Sequence, residues 1–492
     1  MSGSRNEKKM VSYIALVLMI ASLCWSLDGL LTEAPITKDA RQNLRAAYNL
    51  SAWGVFSIEP AVSGKPPADN YREPLAPFVT SLLIRTYKNL GHTPAFEAFS
   101  KGELCCAVKR INLFWSFFLL LGSAILVVAL TRSSILAALT VVLIWLSFLR
   151  NPEYIDTLCT EIPTATLMLW TSVLLIRSLR SDRRVLFFSS GCLLGILCLT
   201  RGVFLYLAVP IVLSVVIAHL TVSPGNRMRA LSAGLLFIVG IALPTGPWML
   251  RNYAHFGSFT LTLRGGAVLY GRTLRNTMNR DEVIAAFYLW GPGVYKKLVK
   301  NTFLGMSPED YEEGGLAARL NRSADSSFAH KDAIAERAGK PEDAISFHSQ
   351  GRAERARLSR QFESRGHPNP GKAADDYLKK AGLRWISKHP FRHAVMTIPF
   401  AWRGAWCFYG GGIVTVLNAL CVVAFMLLAA YGLFPGKQRI AAFILLPFLM
   451  LFFNAFFTHN LSRYSAPAIP YLIISLVVGM YMLGAGLGKK SV

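Results

Sequence analysis

The feature that most constrains this chain is a series of apolar runs, each about as long as a membrane is thick. Ten stand out: Val11–Leu31, Asn112–Thr131, Ser134–Leu149, Cys159–Ile176, Val185–Thr200, Gly202–Leu220, Ala230–Leu250, Gly411–Phe434, Ile440–Phe457 and Ala466–Leu487. A helix needs about 20 apolar residues to cross a hydrocarbon core of roughly 30 Å. The runs are apolar all round rather than on one face, which argues against a soluble bundle of amphipathic helices. Composition agrees, with 53% hydrophobic and 16% charged residues, against about 25% charged in soluble domains. The expected fold class is an all-α polytopic membrane protein of about ten transmembrane helices, with external juxtamembrane helices and a helical extracytoplasmic insert.

Short basic loops set the orientation. Arg5, Lys8 and Lys9 precede the first run, and RSLRSDRR, SPGNRMR, PGKQR and the terminal GKKSV all fall on the same side of the bundle. By the positive-inside rule that side is cytoplasmic. The first run exceeds an ordinary signal-peptide core and lacks a small-x-small cleavage site, so it reads as an uncleaved span. The chain then divides into a cytoplasmic N-terminus and first span (1–31), an external loop with juxtamembrane helices (32–110) and a transmembrane bundle (111–255). An extracytoplasmic helical region (256–410) and the C-terminal spans (411–492) follow. The net charge of +24 lies mostly in loops and in the long hydrophilic segment. It fits contact with anionic headgroups better than nucleic-acid binding. The eight cysteines show no zinc or redox spacing, and Cys24, Cys192, Cys198 and Cys421 read as packing residues inside apolar runs. No short internal repeat is visible.

Chemistry concentrates in the first external loop. Asp39–Trp53 has helical spacing, with Leu44, Ala47, Tyr48 and Leu50 on one face. Gly54 ends it, the turn SGKPPADN follows, and Arg72-Glu73 stands before Pro74 and a second helical pattern, Pro74–Tyr87. Asp39 can act as a base and Arg72 as a phosphate ligand, and the two meet if the loop folds back. Each also has a plainer reading: a carboxylate near a span end is often only solvated, and Glu73 can pair structurally with Arg72. Arg201, Arg251 and Arg463 lie at external span ends, where arginine serves as an interfacial anchor or as an anion ligand. Glu161 either caps its span or joins the chemistry. His389, before a proline, reads as a turn residue.

In order along the chain, these residues resemble the GT-C glycosyltransferases. The likeness is to family 39, the relatives of protein O-mannosyltransferases that include aminoarabinose transferases and lipopolysaccharide galacturonosyltransferases. It rests on Asp39, Gly54 and Arg72-Glu73-Pro74-Leu75, then Cys159-Thr160-Glu161, Thr200-Arg201, Pro247-Trp248, Arg251-Asn252-Tyr253 and Phe256-Gly257. Gly265-Gly266, Tyr270-Gly271, His389-Pro390, Arg463-Tyr464, Pro467 and Pro470 continue it. Ala40 and Asn43 depart from the family, which often has a second acidic residue and a tyrosine there, and the insert near Arg275–Gly371 is long.

The resemblance implies a GT-C-like bundle in a bacterial inner membrane with its site on the periplasmic face. It implies transfer of a sugar, with inversion, from a polyprenyl-phosphate donor to a hydroxyl of an envelope glycolipid, lipopolysaccharide or protein. Asp39 is then the general base. Arg72, Arg201, Arg251 and Arg463 are donor-phosphate ligands, with Glu73, Glu161 and Tyr270 as further candidates. No cofactor is expected; Asp39 with Glu33 or Glu73 is the sole pairing that suggests a divalent ion. A transporter or flippase of a lipid-linked or acidic substrate is the rival class, and a non-catalytic envelope assembly subunit a third. A transporter should show charges or helix breaks at mid-span, whereas the distinctive polar residues here cluster at external ends.

Overall fold

A computed structural model describes residues 2–62, 64–89, 95–181, 183–222, 227–263 and 265–488. Among the described residues every regular element is helical. Eight helices are long and apolar enough to cross a membrane: Met10–Leu30, Cys105–Thr131, Glu161–Ser181, Val203–Thr221, Arg227–Phe256, Gly412–Gly432, Gln438–Phe457 and Ser462–Ala485. Ser134–Leu149 and Arg184–Thr200 are apolar but shorter. These helices coincide with the ten apolar runs, and the protein is a polytopic helical membrane protein. The chain forms two compact units: Met1–Leu261 with Leu417–Met450 and Ala466–Val492, and Thr262–Val416 with Leu451–Ser465.

In the first unit the Glu161–Ser181 helix is central. Ile162, Ala165, Met168, Leu169 and Leu175 are all buried. Its hydroxyls find partners, as an apolar surrounding requires: Thr166 donates to Ile162 O and Trp115 O at 2.9 and 3.1 Å, and Ser172 shares a 2.8 Å bond with the Tyr471 hydroxyl. The Arg184–Thr200 and Arg227–Phe256 helices touch backbone to backbone. A Cβ added at Gly191 would lie 2.2 Å from Phe237 O, and one at Gly240 would lie 2.3 Å from Phe188 O. Small residues permit this close crossing where lipid supplies no hydrophobic drive between helices. Val11, Ile14 and Leu18 on one outer helix, and Val209, Leu213 and Ile217 on another, stay exposed, as lipid-facing residues should.

The segment 32–110 is a folded platform. Leu44 and Ala47 are buried as their spacing predicts, and Tyr48 lies edge-on to Phe96 with ring centroids 5.6 Å apart. Leu50 stays outside this cluster; Ile36 and Ala40 take the place expected for it, joined by Ile84, Phe99, Cys105, Val108 and Leu158. Lys109, 0% exposed, ties the base of the platform together. Its ammonium donates to Thr32 O at 2.7 Å, Ala34 O at 2.9 Å and Asp156 Oδ1 at 2.9 Å, while the Thr32 amide and hydroxyl donate to the same carboxylate. A buried charge is tolerated when every donor is met in this way.

The second unit is built from short helices, among them Gly265–Leu274, Arg280–Trp290, Ala329–Ala338, Phe347–Ser364, Pro370–Lys388 and Thr397–Ala405. The stretches DAIAERA and ADDYLKKAGLRWISK form two of them. Asp375 accepts the amides of Gly266 and Ala267 at 2.9 Å each, filling the open donors at the start of the Gly265–Leu274 helix. Gly266 is needed there, since a Cβ would sit 1.9 Å from Asp375 O. Asn279 and Glu282 form a reciprocal capping box on the next helix.

Candidate active site

Asp39 stands in the first turn of the Lys38–Trp53 helix, where a carboxylate complements the positive end of the helix. The residue before it, Lys38, has φ 51°, a left-handed conformation that costs a non-glycine residue roughly 1–2 kcal/mol. Strain of this kind persists where surrounding structure dictates it. At the other end, Gly54 with φ 65° caps the helix through a bond from its amide to Asn49 O, a conformation glycine adopts without penalty.

The chain then returns. Asn49 Nδ2 donates to Ser57 O and Glu59 O at 2.7 and 2.8 Å. Asp69 accepts the Ile58 amide at 2.5 Å and the Tyr71 amide at 3.1 Å, and its own amide donates to Phe56 O at 3.0 Å. Burial pushes the Asp69 carboxyl above the usual range, against the opposing pull of these two amides and the Arg251 charge. The Pro/Gly-rich turn is thereby closed on itself, and it delivers Arg72 beside Asp39.

Arg72 and Asp39 form an ion pair through Nη2 and Oδ1. Gln42, one turn along from Asp39, takes the same guanidinium from the side: Nε and Nη2 donate to its Oε1 at 2.8 and 2.5 Å. The side chain of Arg72 is 7% exposed and that of Asp39 38% exposed. The carboxylate is thus the open half of the pair.

Glu73 turns the other way and accepts the Gly202 amide at 3.4 Å. Arg201, which ends the Arg184–Thr200 helix, lies 4.0 Å from Glu161, the first residue of the central helix. The dipeptide Arg72-Glu73 therefore links the Asp39 end to the loop that carries Arg201, and five of the sequence-selected residues, Asp39, Arg72, Glu73, Glu161 and Arg201, are joined by a series of contacts. Arg251 stands one loop further on. It donates to Asp69 O at 2.7 Å and Asn252 Oδ1 at 2.8 Å, and its guanidinium is 4.7 Å from the Trp248 ring centre. Trp248 and Asn252 in turn donate to Leu261 O at 3.1 Å each. The Pro-Trp and Arg-Asn residues here brace two loops.

Tyr270 and Arg463 belong to the second unit. Tyr270 packs with Ala267 and Phe362 against Leu358, Ala374 and Leu378, and burial raises its hydroxyl pKa. Arg463 lies in the short Ser462–Ser465 helix. His389 joins the Pro370–Lys388 and Pro390–Val395 helices, the turn position its sequence suggests.

Gln42 went unnoticed in the sequence, although its place three residues after Asp39 puts both on one helix face. Asn43, where the family often has tyrosine, anchors the helix by donating to Leu158 O at 2.9 Å. Asp69 and the Lys109–Asp156 pair carried no local signal, since their partners are distant in the chain. As for a metal, Asp39 faces Arg72 and Glu73 faces Gly202. Among the described residues no group of three or more His, Cys, Asp or Glu could hold an ion.

No protein-family model matches the chain, and no curated protein matches it. Its fold, however, resembles that of the Archaeoglobus fulgidus oligosaccharyltransferase. In the crystal structure of that protein's complex with Zn and sulfate, the likeness has a TM-score of 0.50 at 10% identity and covers 96% of this chain and 49% of that one. For its apo form the values are 0.49, 11%, 97% and 51%. The protein thus shares a helical membrane fold with that archaeal chain, and it spans about half that chain's length.

Proposed function

We propose that the protein is a membrane glycosyltransferase moving a sugar from a polyprenyl-phosphate donor to a hydroxyl of an envelope glycolipid or protein. The place is the external (periplasmic) face of a bacterial inner membrane. The observation that carries this reading is the Asp39–Arg72–Gln42 arrangement: a half-exposed carboxylate backed by a buried guanidinium at a helix start. The GT-C-like fold supports it, since the archaeal neighbour is an oligosaccharyltransferase.

In the resting state Arg72 neutralises Asp39. A donor phosphate competes for the same guanidinium, which suits two parallel bonds to phosphate oxygens. Its arrival draws Arg72 away, and Asp39 then accepts a proton. The acceptor oxygen then attacks the anomeric carbon and its proton passes to Asp39. The bond from that carbon to the phosphate oxygen breaks, its electron pair leaving with the lipid phosphate. A single displacement of this kind inverts the anomeric centre. Arg72 stabilises the charge that grows on the leaving phosphate, and Arg201, beside the buried Glu161, is the second cation of the group.

The test uses purified protein with polyprenyl-phosphate sugars and envelope lipid extract. Asp39→Asn is expected to slow release of polyprenyl phosphate by about 10²–10⁴-fold, the usual contribution of a general base. An unchanged rate would remove Asp39 from the chemistry.

A further inference from the structure

The second unit carries an exposed segment, apolar and basic at once, that the transferase reading does not use. From Gly291 to Met306 the sequence reads GPGVYKKLVKNTFLGM, with three lysines and no acidic residue. Its first part is the Gly293–Val299 helix. Val294 and Leu298, four residues apart, share a face of that helix, and Leu298 is 76% exposed. Lys297 and Lys300 are exposed beside them. Phe303 follows, 80% exposed. The turn that presents it is closed by its own bonds: the Thr302 amide and hydroxyl donate to Val299 O at 3.0 and 2.8 Å, and the Gly305 amide donates to Thr302 O at 2.9 Å. A Cβ added at Gly305 would lie 2.1 Å from Lys300 O, so the chain folds back tightly there. Among the described residues none of Lys296, Lys297 and Lys300 has a carboxylate within salt-bridge distance.

Single exposed apolar residues are ordinary; the position of these is not. Val294 stands at the start of a spanning helix. A Cβ added at Gly412, the first residue of the Gly412–Gly432 helix, would lie 4.0 Å from Val294 Cγ2. The Gly293–Val299 helix therefore lies at the level where that span begins, and Ile413 and Val416 in the first turns of the span are themselves exposed. Aromatic rings occupy the same level. Tyr295 meets Trp402 with ring centroids 5.3 Å apart, Trp402 meets Trp406 at 5.0 Å, and Trp402 Nε1 donates to Phe287 O at 3.0 Å. Tyrosine and tryptophan concentrate at the headgroup layer, where an apolar ring with a polar edge is best accommodated. Phe391, Val395 and Ile398, on the two short helices that lead to Trp402, are exposed as well. An apolar face flanked by unpaired ammonium groups matches acyl chains lying under anionic headgroups.

We propose that Gly293–Phe303 is a lipid-binding anchor of the second unit. Leu298 and Phe303 enter the acyl boundary of the leaflet at which the Gly412–Gly432 span begins. Lys297 and Lys300 bind the headgroups of anionic phospholipids, their long stems lying along the apolar boundary while the ammonium groups reach the phosphates. This inference does not rest on the transferase reading.

The experiment uses the full-length protein in nanodiscs of phosphatidylcholine, alone or mixed with phosphatidylglycerol. Nitroxide labels are placed through Leu298→Cys or Phe303→Cys, and through Glu363→Cys, an exposed position on the Phe347–Ser364 helix, as the aqueous reference. Wild type treated in the same way gives the background from native cysteines. Accessibility to oxygen, which enters the bilayer, is compared with accessibility to a water-soluble nickel chelate. Labels at 298 and 303 are expected to favour oxygen and the label at 363 the chelate. Adding phosphatidylglycerol is expected to shield 298 and 303 further from the chelate. Lys297→Gln with Lys300→Gln should lose that further shielding, each lysine near an anionic surface being worth about a fivefold factor. If Leu298→Cys fails to fold, Phe303→Cys decides alone. Chelate accessibility at 298 and 303 equal to that at 363 overturns the anchor. Shielding from both oxygen and chelate, with spin–spin broadening between copies, overturns it in favour of a contact with a second chain. Shielding that phosphatidylglycerol leaves unchanged overturns the role of the lysines.

Discussion

The arginines of the two units are held in opposite ways. In the first unit Arg72 meets a carboxylate and an amide oxygen, and Arg201 lies 4.0 Å from a buried glutamate. In the second unit Arg275 and Arg403 rest on backbone carbonyls and aromatic faces, and burial lowers both below the usual arginine range. A paired arginine keeps a carboxylate in place until something competes for it. An arginine held by carbonyls and rings braces the loops that supply them. The first arrangement suits a reacting group with a resting partner, the second a structural brace.

The comparison is broken most severely by removing a pair that is truly structural. Lys109→Met leaves the part-buried Asp156 without its ammonium partner, and about 3–5 kcal/mol of destabilisation is expected, as when one partner of a buried pair is removed. Chemical denaturation of the solubilised protein measures it. Arg72→Lys tests the first unit more finely. Lysine keeps the charge but cannot span Asp39 and Gln42 together, so transfer is expected to fall about 10–100-fold (roughly 1.4–2.7 kcal/mol) while expression holds. Equal activity would show that charge alone suffices.

Acid sharpens the contrast from the other side. His348 and His393 both have folded pKa values lowered to about 4 from 6.5, in each case chiefly by burial. The unfolded chain therefore binds more protons between these values, and stability is lost as pH falls from about 6.5 towards 4. A falling unfolding midpoint over that window is expected, with a smaller fall in His348→Gln. The smallest effect belongs to Asn43→Ala, which removes one buried side-chain bond and should cost about 1–2 kcal/mol with chemistry intact.

Much of this was legible beforehand. The apolar runs are long, and length plus composition is a local property, so the spanning helices could be placed without tertiary information. Gly54 and the turn before Arg72 likewise announce a helix end and a return, which made an Asp39–Arg72 meeting a reasonable expectation. The partner Gln42 was overlooked despite its helical spacing. The second-unit supports were out of reach for another reason. Arg403 meets His459 O and the Trp290 ring, both distant in the chain, and no periodicity records which loops converge. Arg251 shows the complementary difficulty. A span-end arginine looks the same in sequence whether it awaits a phosphate or braces a loop, and only the bond to Asp69 O reveals the second task.

The most direct test of the central assignment is made in the native host. Envelope glycolipids and membrane proteins from a deletion strain, complemented with wild type or with Asp39→Asn at equal expression, are compared by mass spectrometry. The expected result is that one species loses a single sugar in the deletion strain and regains it with wild type but not with Asp39→Asn. The mass difference then bounds the sugar and the species identifies the acceptor. Full restoration by Asp39→Asn would contradict the base assignment and favour a transport or assembly role for the same scaffold.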